Sequence, residues 1–266
     1  MKTTHLKIII AILFILLAST LSVLYKEAKT TPPIKKELVT TVLKSEETTQ
    51  PVAQTIAATK TEKTVVEIVK EWSPQVVFIS CVWSSSRGEP VVGLSGSGFL
   101  TNFNDGEMAI ITNKHVILYE DVYSPTYCNV GFLNADTYDI TDQNSFRFSA
   151  DYDIGRLTLP EIKQTTRDLI KRTDGFYCPD VAEIGEKIVV LGYPGNGSKE
   201  GITVTEGIIS GYDHAYYVTS AKIDHGNSGG IAISLKNNCI VGIPSASVGG
   251  KLESLGRILS SKAVLE

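Results

Sequence analysis

Histidine and cysteine are both scarce in this chain, with four of each in 266 residues. No Cys-x-x-Cys occurs and no histidine lies beside a cysteine, so the ligand spacings of a structural zinc site are missing and no metal is expected. Positive charge is in no excess either. Lys and Arg number 25 against 29 Asp and Glu, the formal net charge is −4, and no basic stripe runs through the chain. That excludes the electrostatic footprint of a nucleic-acid-binding surface.

Apolar material is ample at 42% of residues, enough for one large domain or two small ones. Lys2 and Lys7 lead into an uncharged, mostly apolar run from Ile8 to Tyr25. The run is longer than a signal-peptide core and sits at the lower limit for a membrane-spanning helix. Ala18-Ser19-Thr20 offers small residues for cleavage, whereas Lys26, Lys29, Lys35 and Lys36 blunt the positive-inside signal. Residues 1–25 therefore read as a signal peptide or a transmembrane anchor. Either fate places the rest outside the cytoplasm, tethered to a membrane through residues 8–25 or released. Residues 26–61 are rich in Thr, Lys, Glu, Pro and Ala, cannot bury enough surface to offset ordering, and read as a flexible linker. Cys81, Cys128, Cys178 and Cys239 permit zero, one or two disulfides in an exported chain, with three complete pairings open. Cys81 and Cys239 sit in apolar runs and also fit as small buried core residues.

From Thr61 to Trp72 the apolar spacing predicts a short amphipathic helix, stopped by Ser73-Pro74. Strands are expected at Gln75 to Trp83, at the glycine-interrupted Gly93 to Leu100, and at Met108 to Thr112 after the turn Asn104-Asp105-Gly106. Pro160 to Phe176 reads as a helix ended by Asp174-Gly175. The stretches Ala182 to Pro194 and Val204 to Ser210 open the second half, and alternating strands continue at Tyr216 to Thr219, Ile231 to Ser234 and Cys239 to Ile243. Many short strands with few helices argue for antiparallel β-barrels.

The stretch that carries chemistry is Asp224-His225-Gly226-Asn227-Ser228-Gly229-Gly230. A nucleophilic serine needs backbone N–H groups aimed at a developing oxyanion, and glycine lets the chain turn tightly enough to aim them. The N–H groups of Gly226 and Ser228 are the candidates for that hole. Among the histidines, His5 lies in the targeting segment, His214 in a polar connection, and His225 too close in sequence to reach Ser228 across a cleft. His115, at the end of the strand Ala109 to Thr112, is left as the general base. Asp151 and Asp153 would share one face of a strand, so position does not separate them. The order His, Asp, Ser is that of chymotrypsin-type triads.

Thr112-Asn113-Lys114-His115-Val116, Asp153-Ile154-Gly155-Arg156-Leu157 and Gly226-Asn227-Ser228-Gly229-Gly230 resemble the three active-site motifs of trypsin-like serine proteases of the HtrA (Deg) type. Gly96-Ser97-Gly98-Phe99, Gly185 to Pro194 and Val204-Thr205-Glu206-Gly207-Ile208-Ile209-Ser210 resemble further stretches of that family, and the likeness covers residues 62–266. It implies an all-β chymotrypsin-like fold of two six-stranded antiparallel barrels, about 75–159 and 180–260, with the active site between them. It also implies a serine endopeptidase acting on proteins or peptides through His115, Asp153 and Ser228, with no cofactor. Lys222, His225 and Ser245 become candidates for the substrate pocket, and a homo-oligomer, often a trimer in this family, is an expectation. Leu255 to Ser260 resembles the close of such a domain, and the PDZ module that often follows is not expected. Asn227 stands where digestive enzymes place an aspartate, which argues against activation by a freed N-terminus. Gly155 and Arg156 depart from the family pattern, and Pro244 removes a backbone donor near the strand that would pair with substrate. Together with His225 these departures keep a second reading, a catalytically silent peptide- or protein-binding module tethered to a membrane.

Overall fold

Near the start of the described residues Thr64 caps a helix reciprocally with Glu67: the Thr64 hydroxyl accepts the Glu67 N–H, and the Glu67 carboxylate accepts the Thr64 N–H. The helix, α1 (Val65–Trp72), buries Ile68 and Trp72 and leaves Val66 exposed. A 3-10 turn at Ser73–Gln75, with Pro74 near its start, ends it and delivers the first strand. These features belong to a computed structural model describing residues 63–103, 107–120, 123–159, 161–169, 177–198, 201–249 and 254–265. The apolar run 8–25, the linker 26–61, the Asn104-Asp105-Gly106 turn and the Asp174-Gly175 helix stop lie outside the described residues. Among the described residues no helix is long and apolar enough to cross a membrane.

The first half contains β1 (Val76–Ser84), β2 (Pro90–Asn102), β3 (Met108–Thr112), β4 (Tyr127–Phe132), β5 (Thr137–Ile140), β6 (Phe146–Phe148) and β7 (Gly155–Thr158). They form one antiparallel sheet in the order β5-β4-β1-β2-β3-β7-β6. The expectation of a closed six-stranded barrel is corrected here: among the described residues the sheet has seven strands, and no ladder joins β5 to β6. The chain crosses between those two edges through a 3-10 turn at Gln143–Ser145, capped by the Asp142 carboxylate on the Asn144 N–H, so side chains close the gap in place of backbone bonds. Ile140 and Phe146, on either side of it, share one core with Val77, Ile79, Leu100, Ile110, Val130 and Leu157.

The second half contains β8 (Lys187–Gly192), β9 (Thr203–Asp213), β10 (Tyr216–Thr219), β11 (Ile231–Ser234), β12 (Ile240–Gly249) and β13 (Ser254–Ser260), closed into a barrel in the order β10-β13-β12-β11-β8-β9. Two short helical pieces, α2 (Lys114–Ile117) and α3 (Gln164–Arg167), lie in the first half and its exit, and α4 (Ser261–Leu265) follows β13. The predicted helix over Pro160 to Phe176 is thus one turn among the described residues.

A third body of apolar side chains joins the halves. Val76, Phe99 and Ile111 point away from the first core into a cluster with Val189, Leu191, Ile231, Ile233 and Ile243, and Ile68 and Trp72 of α1 complete it. The α1 helix is latched by one asparagine. Asn238, in the left-handed conformation (φ 52°), accepts the Trp72 indole N–H (2.9 Å) and donates to Glu71.

The cysteines pair as Cys81–Cys128, between registered residues of β1 and β4, and Cys178–Cys239, which holds the chain entering the second half against the β11–β12 turn. The second pair spans a sequence separation of 61. Replacing both of its cysteines by alanine is expected to lower unfolding free energy by about 4 kcal/mol, because the unfolded chain regains that loop. The shift is read as a lower denaturant midpoint, and an unchanged midpoint would count against it.

Candidate active site

Every residue of β3 is buried, and the strand gives way at Asn113 to the single turn α2, which lifts His115 out of the core with its side chain about half exposed (48%). The acid arrives from a turn, which corrects the expectation that Asp151 and Asp153 sit on a strand. The Ser149 hydroxyl accepts the N–H groups of Asp151 and Tyr152, the Ser149 N–H donates to Ile154 O, and β7 begins only at Gly155. The turn leaves Asp151 exposed and carries Asp153 to the histidine. His115 Nδ1 lies 2.8 Å from Asp153 Oδ2, the His115 N–H donates to Asp153 Oδ1 (3.1 Å), and Asn113 Nδ2 donates to the Asp153 carbonyl (2.8 Å). Burial alone would push the Asp153 carboxyl up, but hydrogen bonds from His115 and Ser245 hold it below the ordinary carboxylate value.

The two departures from the family pattern in this segment have local causes. Gly155 faces Ile117, whose Cδ1 would lie 2.6 Å from any Cβ placed there. Arg156 lies over the Phe103 ring (3.9 Å to its centroid) and pairs with Glu107, so its charge is accommodated by those two side chains.

The serine turn is held through its carbonyls. Gly195 N–H donates to His225 O, and Gly230 N–H donates to Asn227 O. Because C=O and N–H point in opposite directions across a trans peptide, these bonds aim the N–H groups of Gly226 and Ser228 away from the acceptors. From His225 to Gly230, those two N–H groups alone lack a protein acceptor among the described residues: His225 donates to Asp224, Asn227 to Asp224 O, Gly229 to Pro244 O and Gly230 to Asn227 O. Gly226 (φ 99°) and Gly229 (φ 86°) both occupy backbone conformations that disfavour other residues.

At Gly229 the fit is closest. A Cβ there would lie 2.1 Å from Ser97 O and 2.2 Å from Thr112 Oγ1. Gly229→Ala is expected to cost about 3 kcal/mol or more, from strain and overpacking together, and a melting temperature equal to wild type would refute this.

Ser245 lies at an irregularity in the β12–β13 ladder between Pro244 and Ala246. Such a bulge re-aims a side chain, and it is also where a sheet tolerates proline. Ser245 Oγ donates to Asp153 Oδ2 (2.6 Å), while Ser245 O accepts the Ser228 hydroxyl (3.1 Å). The serine predicted for the substrate pocket therefore binds the acid of the site. No hydrogen bond joins Ser228 to His115 among the described residues; the Ser228 hydroxyl donates to Ser245 O and must leave it before it can pair with the imidazole. Lys222 is exposed between buried Ala221 and Ile223, with its carbonyl accepting the Thr205 hydroxyl, and His225 is exposed at the rim of the serine turn. Asn227 is buried, with its side-chain oxygen against the Gly192 backbone.

Sequence reasoning gave no role to Ser97, Thr112 or Gly195, although Thr112 stands in the histidine motif and the resemblance sets the glycine-flanked Ser97 stretch beside the active site.

A family model for the trypsin-like peptidase domain matches residues 96–243, and the chain belongs to that family. It is also similar to the serine protease Do-like HtrA of Bacillus subtilis (strain 168), at 27% identity, with 75% of this chain and 46% of that protein covered. The chain thus spans about half the length of this curated relative. Among solved structures it resembles the serine endoprotease from Yersinia pestis (TM-score 0.53, 22% identity, covering 77% of this chain and 65% of the other). It resembles equally the Rv3671c protease in its inactive form (TM-score 0.53, 21% identity, covering 75% and 89%). At these identities the structural likeness establishes the fold.

Proposed function

We propose that the chain is a serine endopeptidase that hydrolyses protein substrates through His115, Asp153 and Ser228. The observation that carries this reading is the pair of unaccepted N–H groups, Gly226 and Ser228, in the turn of a serine whose hydroxyl is linked through Ser245 to the carboxylate that fixes the His115 imidazole. Ser228 Oγ attacks the scissile carbonyl as His115 Nε2 takes its proton, and the oxygen of the tetrahedral intermediate is stabilised by the two N–H groups. Asp153 keeps the imidazole Nδ1 protonated and oriented. His115 then protonates the leaving amine, and water, deprotonated by the same imidazole, releases the acyl group.

Strand β12 supports extended-peptide binding. Its partner β11 extends only to the Ala232–Gly242 pair, and Gly229 N–H and the Ser228 hydroxyl take Pro244 O and Ser245 O, so among the described residues β12 is laddered on the β13 side alone from Ala246 to Gly249 and offers an edge there. Next to that edge Gly256, opposite Ser247, leaves room for Ile223, whose Cδ1 would lie 2.6 Å from a Cβ at position 256. Buried Ile223 with outward Lys222 favours a small apolar residue before the cut over an acidic one.

A fluorophosphonate probe is expected to label Ser228 in purified protein, and digestion of a peptide library read by mass spectrometry is expected to show cuts after small apolar residues. Absence of both labelling and cleavage in folded protein would overturn the reading. Two disulfides with no free cysteine among the described residues favour an extracytoplasmic setting. Free thiols trapped by alkylation in protein taken directly from cells would argue otherwise.

A further inference from the structure

Ser97 is fully buried in β2, yet its polar atoms reach the segments carrying the candidate serine and histidine. Its N–H donates to Ser228 O (2.8 Å). Its hydroxyl donates to Gly226 O (2.6 Å) and accepts the Tyr193 N–H (2.8 Å), and its carbonyl accepts the Thr112 hydroxyl (2.6 Å) at the end of the strand that leads into His115. One partner would offset the desolvation of a buried hydroxyl. Ser97 has two, and one of them is the frame of the candidate oxyanion hole.

The carbonyls through that turn show what the extra bonds do. His225 O is held by Gly195 N–H, Gly226 O by Ser97 Oγ, Asn227 O by Gly230 N–H and Ser228 O by Ser97 N–H. Successive peptide planes are therefore fixed, alternate ones by Ser97, which belongs to the other sheet. Two glycines permit the approach: a Cβ at Gly192 would come within 3.0 Å of Ser97 Oγ, and one at Gly229 within 2.1 Å of Ser97 O.

We propose that Ser97 is a positioning residue that sets the geometry of the Gly226–Ser228 N–H pair and registers it against His115. The proposal rests on the peptidase reading above. Losing the hydroxyl frees the Gly226–Asn227 peptide to rotate, which misaligns the neighbouring N–H groups for the oxyanion and leaves ground-state peptide binding along β12 untouched.

The test compares Ser97→Ala with Ser234→Ala in the full chain. Ser234 is an equally buried serine whose hydroxyl donates to Glu186, away from the site. Four quantities are measured: kcat, KM, the affinity of a peptide boronate whose tetrahedral adduct places an oxygen in the hole, and the affinity of the cleaved product peptide. In Ser97→Ala, kcat and boronate affinity are each expected to fall about 100-fold, with KM and product affinity within about threefold of wild type. Ser234→Ala should lose thermal stability and keep kcat. If Ser97→Ala does not fold, Ser97→Cys, of similar size and with a weak donor, should show the same split at about tenfold.

A kcat within about threefold of wild type, or equal losses in boronate and product binding, would overturn the proposal and leave the peptidase reading intact. Wild-type protein that neither turns over peptide nor binds the boronate would overturn both.

Discussion

Ser228→Ala is expected to lower turnover of a peptide substrate by about 10⁶-fold, His115→Ala by a similar factor, and the double variant by no more than either alone. The non-additivity follows from the chemistry: without the imidazole the hydroxyl stays protonated and weakly nucleophilic, and without the hydroxyl the imidazole has no proton to take. What survives is the contribution of the N–H pair and of substrate binding, so residual hydrolysis should still exceed that in water. Single-turnover kinetics on one peptide would separate acylation from product release. Ser228→Ala protein retaining more than a percent or so of wild-type kcat would remove Ser228 from the mechanism, since an unassisted water cannot sustain that rate.

Asp153→Asn should cost about 10⁴ in kcat while leaving the fold in place. The reason is a conflict of donors. Asp153 Oδ2 receives Ser245 Oγ and faces His115 Nδ1, and Oδ1 receives the His115 backbone N–H, so the carboxylate is an acceptor on both oxygens. An amide supplies one acceptor only. If its NH2 faces the ring, the imidazole must present Nδ1 unprotonated and carry its proton on Nε2, where it cannot act as a base. If the amide is flipped, its NH2 meets the backbone N–H of His115.

The substitution also changes the acid limb of stability. Because the Asp153 carboxyl is held below its unfolded value, its contribution is complete above that value and is lost as pH falls through the lowered folded one. Asp153→Asn protein should lack that part of the acid-induced loss. Parallel pH–stability curves for the two proteins would contradict the assignment of the shift.

Much of this architecture was legible in the chain because it rests on local signals. The strands Tyr216–Thr219 and Ile231–Ser234, the α1 helix with its Ser73-Pro74 stop, and the turn bearing His115 each follow from residue types within a few positions. What escaped depends on long-range packing. The β6 strand has three residues, too few to show a period of two, so the seventh strand and the open seam of the first sheet had no sequence signature. Gly155 and Arg156 looked like defects of a motif until Ile117, Phe103 and Glu107 were seen beside them. Ser245 was placed among substrate contacts beside Pro244, near the strand expected to pair with substrate, whereas the bulge that turns its hydroxyl onto Asp153 depends on register with β13. Ser97 acts on Gly226 across a separation of 129 residues, a range over which no pattern in a single sequence speaks.

The two disulfides lie on opposite sides of the connection around residues 160–176, Cys81–Cys128 before it and Cys178–Cys239 after it. The apolar cluster shared by Phe99, Ile111, Leu191 and Ile231, with α1 latched onto Asn238, spans the same divide. A backbone broken in that connection therefore leaves two polypeptides, each cross-linked within itself and each exposing half of one oily surface that only the other can cover. Those are the conditions for fragment complementation, with the proposed nucleophile Ser228 on one piece and His115 and Asp153 on the other, and the proposed hydrolysis expected only when the pieces meet.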